Sequence, residues 1–232
     1  KIMDYNINIT KFLGSSAVFL SLIPWFSFGL LNTDSVPWPF IAYTLFLLKL
    51  NNPLKIPKNF IIFFVVLIFG IFFALLMSND IFDGNIFRSL YNYLGVVVFF
   101  VGFYNYLDKY GFPNSIFVTV NIIWFLFGIL ELFSPETASM FSTARTGGGR
   151  GVTSLAPEAT FFGIYLFFSS WLLIVGNNYN LNNGIKLIVF LNLLAIIFLA
   201  KASMVILYLV LVAMIFLAFA YLRLILSKKI IR

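Results

Sequence analysis

Residues 60–77 read FIIFFVVLIFGIFFALLM, an apolar run with no charge and no proline. Wound as an α-helix it extends about 27 Å, close to the roughly 30 Å of hydrocarbon in a bilayer. Backbone N–H and C=O groups in that layer find no water, so the chain must satisfy them internally as a helix or pair them in a closed barrel. Barrel strands alternate lipid-facing and lumen-facing side chains, and this run and its neighbours lack that period of two. The helix is the form the run dictates.

The whole chain agrees with the run. Of 232 residues, 62% are hydrophobic and only 10% charged, with 31 phenylalanines and a mean hydropathy of +1.02. A soluble domain carries about 25% charged residues. These totals predict an all-α integral membrane protein, a single transmembrane domain over residues 1–232 with no appended soluble domain. Cysteine and histidine are both absent, so histidine bases and ligands are excluded from this chain and no disulfide reports its compartment. It begins with Lys1 rather than methionine and has no signal-peptide pattern, and it reads as part of a longer protein.

Upstream of the run, Phe12 to Leu31 is a first span with a kink expected at Pro24. Val36-Pro37-Trp38-Pro39 opens a second, running to about Leu50. Asn51 to Asn59 is a tight loop carrying Lys55 and Lys58. Downstream, Ser78 to Arg88 is a loop. A fourth span lies between two copies of Tyr-Asn-Tyr, at Tyr91 to Tyr93 and Tyr104 to Tyr106, read as aromatic anchors about 20 Å apart at opposite interfaces. The fifth span, from about Pro113 to Phe133, carries Asn121 and, near its end, Glu131. The sixth runs from Pro157 to about Gly176. Gly184 to Leu222 as one helix would reach nearly 60 Å, about twice the hydrocarbon thickness, so the chain folds back near Lys201. The total is a polytopic bundle of about eight transmembrane helices.

With eight spans both termini share a side, and that side collects Lys1, Lys11, Lys49, Lys55, Lys58, Lys109, Lys186, Arg223, Lys228, Lys229 and Arg232. Only Arg88, Arg145, Arg150 and Lys201 fall opposite. The positive-inside bias makes the richer side cytoplasmic and residues 134–157 the main external loop. In a soluble protein the net charge of +7 would suggest nucleic acid; here it is a topology signal, and no nucleic-acid partner is expected.

Within that loop, Ser142-Thr143-Ala144-Arg145-Thr146-Gly147-Gly148-Gly149-Arg150-Gly151-Val152-Thr153-Ser154-Leu155-Ala156-Pro157-Glu158 is polar where its surroundings are apolar. Glycines such as Gly148 free the backbone to wrap a ligand and present N–H groups, and arginines supply forked donors for phosphate or carboxylate. Arg145, Arg150, Arg88 and Lys201 together suit an anion. Interfacial cations also snorkel to lipid phosphate, so each has a second reading. Glu158, expected in the first turn of the sixth span, either serves as a general base or orients an arginine. A proline and a glutamate there are also ordinary helix-start chemistry, with Ser154 available as a cap. By 3.6-residue spacing Glu158, Phe162, Tyr165 and Ser169 share a face, which points the glutamate into the bundle. Glu131 either pairs with an outer arginine or reaches interface water. No Gly-Lys-Ser/Thr follows the triple glycine, so it is no Walker loop.

The run from Arg150 through Pro157-Glu158-Ala159-Thr160-Phe161-Phe162-Gly163 resembles the Wzy-type O-antigen and capsule polymerases, a family in one superfamily with the O-antigen ligases. The break from Leu199 to Met204 is similar to their serine-containing turn between later spans. The resemblance implies a GT-C-like fold and a metal-independent glycosyltransferase with no cofactor, acting at the outer face of a bacterial inner membrane. Its donor and acceptor would be undecaprenyl-pyrophosphate-linked oligosaccharides, with membrane lipid and a chain-length regulator protein as further partners. An acceptor hydroxyl would attack the donor's anomeric carbon and the lipid pyrophosphate would leave. Arg145 and Arg150, with Arg88, would neutralise the leaving group. Glu158 would be the base or hold an arginine. Family members are longer, with a second large outer loop that also contributes to the site, and the ligases are associated with a histidine beyond this chain. A ligase, or a non-enzymatic transporter of anionic lipid or glycan, are the alternative expectations. A transporter would place charged residues and broken helices near the midplane, whereas here the ionisable groups cluster at the outer edge.

Overall fold

The structure is a computed structural model that describes residues 2–25, 38–50, 53–76, 84–141 and 151–230. The regular structure of the described residues is all helical, without strands. In chain order the helices are α1 (Ile2–Ser21), α2 (Trp38–Leu48), α3 (Lys58–Leu76), α4 (Gly84–Tyr110), α5 (Asn114–Phe133), the short α6 (Pro135–Ser139), α7 (Ala159–Gly176), α8 (Asn183–Ala195) and α9 (Ser203–Ile230). A five-residue π turn, Ile196–Ala200, extends α8. Three helical stretches are long and apolar enough to cross a membrane: Asn114–Phe133, Ala159–Gly176 and Asn183–Ala200. Shorter apolar stretches lie at Ile9–Ser21, Trp38–Leu48, Lys58–Phe73 and Ser203–Phe219. By length and composition this is a membrane protein.

Several boundaries differ from expectation. Helix α1 starts at Ile2 and ends at Ser21, ahead of the expected kink at Pro24, and the rest of the expected span to Leu31 lies outside the described residues. Proline offers no N–H and disfavours helical geometry in the residue before it, and the chain turns instead at Leu22 to Trp25. Helix α4 begins at Gly84, so Arg88 lies within a helix and not in a loop. A break at Lys201 is present. Its backbone is left-handed (φ 48°, ψ 33°), which stops the π turn and lets α9 start at Ser203.

The chain forms two compact units, Lys1–Pro24 with Ser35–Phe117, and Trp25–Asp34 with Val118–Arg232. In the first, α1, α2 and α4 pack on one another and α3 packs on α4. The Phe60 and Phe100 rings stack at 3.6 Å and 8°. Tyr43 lies against Gly102, where any side chain would strike its ring. In the second Tyr-Asn-Tyr two residues turn into the protein and Tyr104 stays partly exposed. Tyr106 and Asn105 are both buried, and the Tyr106 hydroxyl shares a hydrogen bond with Ser15 at 3.1 Å. The Asn105 amide donates to the Lys55 carbonyl and accepts the Lys55 N–H, both at 3.0 Å. Lys55 Nζ also donates to Asp108 at 2.7 Å, a contact that holds its pKa above the ordinary lysine value. Thr10 Oγ1 donates to the Lys49 carbonyl at 3.4 Å.

In the second unit α7 packs on α8, the π turn and α9. Gly163 permits the last contact, because a methyl there would come within 2.9 Å of the Ala202 Cβ. Where α5, α7 and α8 meet, Asn121 Nδ2 donates to Ser169 Oγ at 2.6 Å. Asn192 Nδ2 donates to Asn121 Oδ1 at 2.8 Å and to Ser170 Oγ at 3.0 Å. All four side chains are buried. Between apolar helices such bonds are the specific glue, since burial against lipid and burial against protein differ little.

Candidate functional site

The described part of the central loop, Gly151 to Pro157, is an irregular segment buried at residues 152–157. Buried backbone outside a helix must find partners for its polar groups, and here each comes from a different element. Val152 N–H donates to the Leu199 carbonyl at 2.9 Å, one of the carbonyls that a helix end leaves without an internal partner. Gly151, at φ +135°, passes so close to the Ala200 carbonyl that a Cβ could not fit. The Ser154 hydroxyl donates to the Trp124 carbonyl at 2.6 Å, and Ala156 N–H to the Thr153 carbonyl at 3.0 Å.

Glu131, at the end of α5, closes the arrangement. Its Oε2 accepts the Ser154 N–H at 2.6 Å and the Thr153 N–H at 2.9 Å, and the Thr153 hydroxyl reaches both carboxylate oxygens at 3.1 Å. Among the described residues its partners are the main-chain N–H groups of Thr153 and Ser154 and the Thr153 hydroxyl, while Arg145 and Arg150, the expected arginine partners, lie outside them. A carboxylate accepting two successive N–H groups and a hydroxyl is a charge-assisted clamp on the loop backbone.

Helix α7 starts after this segment. Glu158 is its N-cap, with extended backbone (φ −146°, ψ 149°), and does not sit inside the first turn. Its carbonyl accepts the Phe161 and Phe162 N–H groups at 3.1 and 3.2 Å, while its half-buried side chain makes no capping hydrogen bond. Ser154 is not the cap either, being left-handed (φ 54°) and turned to Trp124. The helix face that starts at Glu158 does turn inward. Phe162 and Ser169 are buried, and the Trp124 ring stacks on Phe162 and Tyr165 at 5.7 and 4.3 Å. Trp25 meets Trp124 edge-on at 6.3 Å.

Arg145, Gly148 and Arg150 lie outside the described residues, and for Arg88 only the helical backbone is described. Lys201 is exposed at the end of the π turn. The Gly151 contact with Ala200 brings the loop's end to the turn that carries Lys201. No ion pair joins Glu158 and Lys201 among the described residues, and no group of three acidic side chains gathers there as for a metal ion. Comparison of the chain with protein-family models, with curated proteins and with solved structures finds no match.

The clamp was not read from the sequence. Its only sequence signal is a carboxylate at the end of one apolar helix and the adjacent Thr153-Ser154 after a glycine, and the spacing of 22 residues between Glu131 and Thr153 carries no local rule.

Proposed function

We propose that the chain is a Wzy-like polysaccharide polymerase, a bundle of about eight membrane-crossing helices with GT-C-like architecture. It joins undecaprenyl-pyrophosphate-linked oligosaccharide units at the outer face of a bacterial inner membrane. The observation that carries this reading is the Gly151–Glu158 segment, a buried non-helical passage clamped on three sides that delivers a carboxylate free of capping duty to the head of α7. It belongs to the stretch from Arg150 to Gly163 on which the family resemblance rests.

In this mechanism the acceptor hydroxyl loses its proton to Glu158 as it attacks the anomeric carbon of the donor glycan, whose bond to the pyrophosphate breaks. Arg150 and Arg145, with Lys201, take up the negative charge that grows on the departing lipid diphosphate. Such charge stabilisation lowers the barrier most when it is preorganised. Forked guanidinium donors suit a diphosphate better than a single ammonium.

Deletion of the gene, with analysis of surface-glycan length and lipid-linked intermediates, tests the reading. A polymerase predicts surface glycan reduced to single repeat units. Full-length polymer retained on the lipid carrier would identify a ligase, and unchanged ladders would remove both readings. Arg150→Ala is expected to abolish long chains while the protein still inserts, and Arg150→Lys to restore them only in part.

A further inference from the structure

The carboxylate of Glu131 has a task that neither catalysis nor topology assigns to it. It lies near the membrane edge, where an acidic side chain is costly unless its charge is answered. Here it is answered by main-chain N–H groups of the segment leading to Glu158, and by the hydroxyl of Thr153. Thr153 and Ser154 are themselves almost fully buried, so without Glu131 their N–H groups would stand in a dry environment without acceptors, an arrangement that proteins avoid. The segment would open to find water.

We propose that Glu131 is a positioning residue for glycosyl transfer. It holds the Gly151–Pro157 passage in place by accepting hydrogen bonds, and so fixes where Glu158 stands. The proposal rests on the polymerase reading for its functional consequence, but the clamp can be measured separately.

Hydrogen bonding and charge make different demands on the side chain. Glutamine offers one carbonyl oxygen that can take the Oε2 position and accept both N–H groups, while its NH2 can donate to the Thr153 hydroxyl, which is itself able to accept. If the task is acceptance, Glu131→Gln keeps most of the clamp; if Glu131 works by pairing with an arginine, Glu131→Gln fails as fully as Glu131→Ala.

The native chain has no cysteine, so a single thiol reports without background. Ala156, fully buried in the segment, is changed to cysteine. Labelling by a charged maleimide is followed in membranes opened to both faces, normalised to the protein present, with Glu131, Glu131→Gln and Glu131→Ala in parallel. Labelling tracks the opened population, and loss of a charge-assisted bond to buried donors is expected to raise it about tenfold or more in Glu131→Ala. It should stay near the native rate in Glu131→Gln. Surface-glycan ladders should follow the same order, lost in Glu131→Ala and largely kept in Glu131→Gln. Equal exposure in both variants would overturn the hydrogen-bonding role, and a thiol that stays protected in Glu131→Ala would overturn the clamp itself. The expected labelling with native ladders in every variant would leave the clamp standing and overturn its role in glycosyl transfer, whereas unchanged ladders on gene deletion would remove the polymerase reading itself.

Discussion

Gly151 and Lys201 both hold positive φ, at 135° and 48°, for different reasons. At Gly151 the backbone adopts an angle that only glycine tolerates, and the Ala200 carbonyl occupies the space of a side chain. Gly151→Ala should therefore lose at least about 2 kcal/mol in detergent unfolding, from strain plus collision. At Lys201 the left-handed turn costs a non-glycine residue about 1 kcal/mol, and its side chain is exposed. Lys201→Gly should leave the unfolding midpoint unchanged or slightly raised, so loss of glycan in that variant would report the missing charge and not the fold. The need for a turn near Lys201 was legible from length alone. Its conformation was not, because no glycine or proline marks it.

At the scale of the elements, apolar run length located most helices. Helix α5 was expected from Pro113 to Phe133 and runs Asn114–Phe133; α7 begins two residues after the expected Pro157. What hydropathy could not supply was the purpose of the polar residues inside the runs. Asn121 was visible as an oddity, but its partners Ser169 and Asn192 come from two other helices and meet it only after packing. For the same reason the role of Asn105 in the second Tyr-Asn-Tyr, which grips the Lys55 backbone, was not legible. Removing the α8 contribution to the three-helix network by Asn192→Ala should lower stability by about 1–2 kcal/mol in a detergent-based unfolding titration. Ser170, which also donates to the Leu166 carbonyl at 2.8 Å, keeps a partner and should be the milder site.

At the scale of the whole molecule, cations and apolar runs jointly specify topology. In the first unit the neighbour of Lys11 bonds the Lys49 carbonyl, and Lys55 bonds Asn105. A reporter fused at Gly148 should signal from outside the cytoplasm and one fused at Lys55 from within. Matching signals would overturn the assigned orientation. The membrane character of the chain was legible from composition. The clamped segment was not, since it depends on residues from α5, the loop and the end of the π turn meeting across 22 to 47 positions of chain, and side-chain pattern encodes none of those distances.

The joint between Val152 and Leu199 is made by main-chain atoms on both sides. Nearly any pair of amino acids can supply it, proline at 152 excepted, so it survives mutational drift that would erase a side-chain contact. A protein seated this way can vary the sequence around the joint while inheriting the socket unchanged.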